Sequence, residues 1–164
     1  MPYDTVIKDE AKYMANLGPT VKEDRFYAIY NGILTTWFPS SKGYIIQVLR
    51  GAGKPDRGYI IVRFGGEYHN PLLVVGLKRP AKWNEAGKQG VLEVLTEYIK
   101  GQFDEMQYNT IYALGGIGLH WTVCKMEKDG LPVPTTVLGW HNDISSDLSY
   151  DAFKTVAELV YNIH

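Results

Sequence analysis

Asp56, Lys78 and the residue two positions before that lysine, Gly76, are the places in this chain where spacing could assemble acid and metal chemistry. They lie in the stretch KPDRGYIIVRFGGEYHNPLLVVGLKRP, residues 54–80. Residues 59–64 and 72–77 are apolar runs rich in β-branched side chains, and the Gly, Asn and Pro cluster between them is a turn, so the stretch predicts an antiparallel hairpin. With the turn centred near Glu67, facing residues have numbers that sum to about 134. Asp56 then falls close to Lys78. Side chains alternate along a strand, so position 76 and Lys78 share a face. A carboxylate at position 76 would complete an oxygen-ligand site for a divalent cation, with Lys78 beside it to hold a charged substrate or an attacking water. Gly76 supplies no ligand.

A site without that acid has a different use. Removing a side chain where strand meets helix leaves space, and a lysine in a partly dry cleft favours an anionic or carbonyl-bearing ligand, or a lowered pKa. Flat rings suit the lining of a small-molecule pocket, and the chain has 12 Tyr, 4 Trp and 5 Phe. The expected ligand-binding set is Lys78, Asp56 and Gly76, with Trp83 as the nearest lid and with Trp121 and His120 from a neighbouring strand. Each of these aromatic residues has an alternative reading as plain core.

The elements that must position these residues follow from periodicity and punctuation. Thr20 and Glu23 have the spacing of a capping box, and Phe26, Ile29, Tyr30, Ile33, Leu34 and Trp37 then repeat at helical spacing until Pro39. Residues 44–49 predict a short strand ahead of the hairpin. A second amphipathic helix is expected over about 85–105, with Gly87 and Gly90 weakening its start. Residues 110–114 and 119–126 predict strands on either side of GGIG, which reads as a flexible turn, because a phosphate-binding glycine loop must open a helix. Residues 135–138 predict a further strand, and Ser149 a cap for a last helix that buries Phe153, Val156, Ala157 and Val160. The fold class expected is α/β, in the form of an α+β mixed sheet flanked by helices, in a single domain over 1–164.

Composition bounds the partners. The 164 residues carry a formal charge of −1 and a pI near 6.4, whereas nucleic-acid binders usually show a basic excess or stripe. Nucleic acid is therefore an unlikely partner, and a small molecule the expected one. The basic clusters Lys78, Arg79 and Lys82, and Lys54 with Arg57, read as solvated charges or as a small patch at the hairpin mouth. Cys124, the single cysteine, permits no intramolecular disulfide and reads as a buried thiol. His69, His120, His141 and His164 show no zinc-type spacing, and WHND (140–143) reads as a loop rather than a catalytic dyad. Acidic residues interrupt the N-terminal stretch and no segment is long enough to span a membrane, so a cytoplasmic location is expected. Oligomeric state is left open.

Taken together, a helix, a strand, Pro55-Asp56 at the start of a second strand, and a third strand ending in Gly76-Leu77-Lys78 before a helix resemble the PD-(D/E)XK nuclease-like superfamily, with Gly76 in place of the family's Glu. The core resemblance covers roughly residues 20–125, with a C-terminal strand and helix over 130–164. The tail WHNDISSDLSYDAF is similar to fungal proteins of this type, and there is a weaker resemblance to mushroom pink chromoproteins. The superfamily resemblance implies a restriction-endonuclease-like core in which Asp56 and the missing acid would bind magnesium, Lys78 would position the nucleophile, and Glu23 is the helical acid available to join them. Glu23 also reads as the capping-box partner of Thr20. With one metal carboxylate gone, the resemblance implies a catalytically degenerate protein that binds or carries a small aromatic ligand, pigment or chromophore and requires no cofactor. The alternatives are a magnesium-dependent nuclease with a relocated carboxylate and a protein-interaction module.

Overall fold

The computed structural model describes residues 2–50, 58–130 and 133–163. Pro55 and Asp56, together with Lys54 and Arg57, lie outside these residues, and so does His164. The described residues form four α-helices and one six-stranded sheet. The helices are α1 (Thr5–Asn16), α2 (Tyr27–Trp37), α3 (Glu85–Lys100) and α4 (Asp147–Tyr161). The strands are β1 (Tyr44–Arg50), β2 (Gly58–Phe64), β3 (Leu73–Lys78), β4 (Thr110–Ile117), β5 (His120–Glu127) and β6 (Thr135–His141). Their spatial order equals their order in the chain. All neighbours are antiparallel except β3 and β4. That parallel pair requires a crossover, which α3 provides.

The expected hairpin forms with Tyr59 opposite Gly76 and Ile60 opposite Val75, one residue from the register read off the turn. Alternation along β2 sends Ile60 and Val62 to one face and Tyr59 and Ile61 to the other. The first face packs against α1, α2 and α4 through a core that includes Tyr30, Phe38, Trp121 and Phe153. The second packs against α3 through Val91, Leu95 and Ile99. Helices therefore cover both faces of a mixed sheet.

The structure adds one helix and corrects several local expectations. The N-terminal stretch is helix α1, capped by Asp4, whose carboxylate accepts from the Ile7 N–H at 3.0 Å, and packed through Ala11 and Met14. The Thr20–Glu23 capping box does not form. Glu23–Phe26 is a 3-10 turn whose N-cap, Lys22, makes no side-chain cap bond, and α2 begins only at Tyr27. GGIG is not all turn, because Gly115, Gly116 and Ile117 belong to β4 and Gly118, at φ 58°, makes the reversal. A side chain at Gly116 would drive into Tyr30 and Leu77, so these glycines serve close packing. Finally, Ser146 rather than Ser149 caps α4, and Trp140 and His141 of the WHND stretch are strand residues of β6. The second long helix ends at Lys100, and Phe103–Glu105 is a separate 3-10 turn.

Among the described residues, no helix is long and apolar enough to cross a membrane.

Candidate functional site

At the end of the sheet where β3 runs out, a cleft of about 440 Å³ opens between the strand ends, α3 and the Glu23–Phe26 turn. Among the described residues its charged lining is Lys22, Glu23, Lys78, Arg79 and Lys82, and its floor is built from Tyr59, Leu77, Val91, Val94 and the glycines 58 and 76. The two sides are tied together. The Ala81 N–H donates to the Pro19 carbonyl at 2.9 Å, linking the 3-10 turn Pro80–Lys82 to the segment that leads into Lys22 and Glu23. Gly118 donates from its N–H to the Lys78 carbonyl at 2.9 Å, and Pro80 packs on Gly118.

Lys78 lies half-buried at the end of β3, its ammonium against α3. A Cβ built on Gly90 would sit 2.9 Å from the Lys78 Nζ. Gly90 thus leaves room for the lysine, where its helix propensity alone marked it as a weakness. No carboxylate among the described residues forms an ion pair with Lys78. Glu23 is half-buried in the same cleft. Beside it the Tyr27 hydroxyl closes against Gly58. Burial pushes the Tyr27 phenol up, Glu23 adds to the rise, Arg50 opposes it and Asp24 adds to it.

Gly76 has a reason that the sequence did not disclose. A Cβ at this position would lie 3.0 Å from Leu95 Cδ2 and 3.1 Å from its Cγ. The space where a strand side chain would start is filled by a buried leucine of α3. The expectation that Gly76 leaves an open volume is corrected to this extent: Gly76 borders the cleft, but the direction of its missing side chain is occupied.

The aromatic expectations divide. Trp121 is fully buried, its Nε1–H donating to Ser149 Oγ at 2.9 Å and its ring 5.4 Å from that of Phe153. It belongs to the core on the face opposite α3 and is corrected as a ligand contact, because no part of it reaches solvent. Trp83 does not line the cleft. It stacks on His120 with centroids 3.7 Å apart and planes within 6°, with Lys88 Nζ 4.3 Å from the Trp83 ring centroid and the Trp140 ring at 5.3 Å. The His120 Nδ1 is buried and has no hydrogen-bond partner among the described residues. Burial pulls this imidazole below its ordinary value. A bond with Asn142 opposes the shift, Lys88 adds to it, and the Asp143 carboxylate opposes it. Trp83 and His120 thus stack on one another next to the Pro80–Lys82 turn, outside the lining of the cleft.

Of the expected site residues, the structure brings Lys78 and Gly76 together with Glu23, separates Trp83, His120 and Trp121 from the cleft, and leaves Asp56 outside the described residues. The cations Arg79 and Lys82 were visible in the sequence only as a local cluster. Lys22 had no signal of its own, since its place depends on where the 3-10 turn docks. Among the described residues no three His, Cys, Asp or Glu side chains gather closely enough to hold a metal ion.

No family model, curated protein or solved structure matches this chain.

Proposed function

We propose that the cleft binds a small, flat ligand bearing an anionic or carbonyl group, and that the protein is a binding or carrier protein on a PD-(D/E)XK-like scaffold that has lost its motif acid at Gly76. The observation that carries this reading is the charge imbalance of the cleft. Among the described residues, Lys22, Lys78, Arg79 and Lys82 stand against the single carboxylate Glu23, around an apolar floor of Tyr59, Leu77, Val91 and Val94. Convergent cations over apolar surface suit an anionic head on an apolar body. A volume of about 440 Å³ falls within the usual range for small-molecule sites. A pigment or other aromatic chromophore is one concrete occupant.

The test begins with the protein purified from its native source, by absorption spectrum and native mass. An anionic ligand found there, or by thermal-shift screening, should bind Lys78→Met more weakly by about 1.5 to 3 kcal/mol, the scale of a charge-assisted hydrogen bond. No extra mass, together with screening hits indifferent to Lys78→Met and Arg79→Ala, would remove the reading in favour of an interaction module.

One observation favours a second reading. Glu23 lines the same cleft as Lys78, where a relocated acid of a magnesium-dependent nuclease would have to be. Oligonucleotide cleavage with magnesium or manganese that disappears in both Glu23→Gln and Asp56→Ala would establish the nuclease and displace the carrier.

A further inference from the structure

Among the described residues the sheet has two open edges, and the chain treats them differently. The ladder between β5 and β6 is interrupted by register irregularities between Trp121 and Val123 and between Val123 and Cys124. The edge strand itself, TTVLGWH, includes two threonines and a glycine. Irregular pairing and polar residues blunt an edge against further strands. β1 lacks the irregular pairing and carries Gln47 and Arg50 among otherwise apolar residues. Its sequence is YIIQVLR, and it runs in unbroken register with β2 from Tyr44 opposite Phe64 to Arg50 opposite Gly58. Among the described residues no strand pairs with its other side. Ile45 and Val48 are 39% and 51% exposed and, by alternation, point to opposite faces.

The backbone direction can be read as well. The Gly43 carbonyl accepts from the Gly65 N–H at 2.9 Å, continuing the β1–β2 register by one pair. Peptide groups alternate between the two sides of an antiparallel strand, so the odd-numbered residues of β1 turn theirs toward β2. Ile46 and Val48 thus present N–H and C=O to the open side.

We propose that β1 is a homodimer interface, pairing antiparallel with β1 of a second copy about a two-fold axis through Gln47. This is the one antiparallel register that pairs all seven residues of the strand. It sets Ile46 opposite Val48, the residues whose peptide groups face outward, so the centre of the new ladder closes with matched donors and acceptors, and it sets Tyr44 opposite Arg50. It also sets Ile45 opposite Leu49 and Gln47 opposite its own copy. Each exposed aliphatic side chain meets another aliphatic one. No like charges face each other. That self-complementarity is the mark of an isologous contact and selects a second copy over a foreign strand. The inference is independent of the cleft and of any ligand in it.

Sedimentation equilibrium and light scattering decide it. The full chain should show twice its 18.5 kDa mass, dissociating on dilution. Val48→Lys, at a position half-exposed in the monomer, should raise the dissociation constant at least about ten-fold, whereas Thr136→Lys on the opposite edge should leave it unchanged. Gln47→Cys is the second arm. A non-hydrogen-bonded antiparallel pair brings Cα atoms to about 4.5 Å, within the range a disulfide spans, so mild oxidation should give a covalent dimer. Should Val48→Lys fail to fold by circular dichroism, the cross-link decides alone. A wild-type chain that is monomeric throughout, or a dimer that survives Val48→Lys and does not cross-link at position 47, overturns the proposal.

Discussion

Gly76 should be held in place by Leu95, and a two-residue cycle can measure it. In Gly76→Ala the new methyl would start 3.0 to 3.1 Å from two Leu95 carbons, closer than ordinary contact, in a part of the core where Leu95 is 1% exposed. Overpacking of this kind costs about 1 to 3 kcal/mol. Against it stands the gain of about 0.4 to 1 kcal/mol from restricting the unfolded chain. The net expectation is a loss of about 1 kcal/mol. Leu95→Ala alone should cost about 2 to 5 kcal/mol through its cavity. With that cavity present, the alanine methyl at position 76 has room, and the same substitution should become stabilising by about 1 kcal/mol from entropy and methyl burial together. The coupling is then about 2 kcal/mol, well outside the additivity expected of independent sites. Urea unfolding of the four proteins gives the cycle. Additivity within about 0.5 kcal/mol, or a Gly76→Ala protein more stable than wild type, would refute the idea that Leu95 dictates the glycine. The same geometry bears on restoring an acid: Gly76→Glu should be accommodated only when Leu95 is also shortened.

Other outcomes follow from neighbouring observations. In Ser149→Ala the buried Trp121 Nε1–H loses its acceptor, while the Asp143 carbonyl keeps the Ser146 N–H as a donor, which should cost about 1 to 3 kcal/mol in denaturant unfolding. His120 has its folded value pulled below the ordinary 6.5 by burial first, so its neutral form is the one the fold favours. Its contribution is complete above 6.5 and is lost as pH falls through that value toward the lower folded one. The thermal midpoint should therefore drop on acidification, and His120→Gln should reduce that drop; an unchanged acid limb would show that the stacked imidazole is not the responsible group.

The sequence by itself determined the hairpin, the crossover helix after Lys78 and the alternation that builds a two-sided sheet, because each is written in local periodicity and turn chemistry. It also brought positions 76 and 78 to one end of that sheet, since register follows from the turn to within a residue. The rest depended on how elements dock. Glu23 had the spacing of a capping partner, yet the chain enters α2 through a 3-10 turn, and that turn sends Glu23 to the cleft. Trp83, His120 and Trp121 are near neighbours in any strand diagram, yet two stack together beside the cleft and one vanishes into the opposite core, a division made by which face each occupies. Gly76 looked like an absence. Only the packed structure shows Leu95 of α3 in the place its side chain would take, a contact between residues 19 positions apart that no local pattern encodes, because close packing is a property of the helix meeting the sheet and of neither alone.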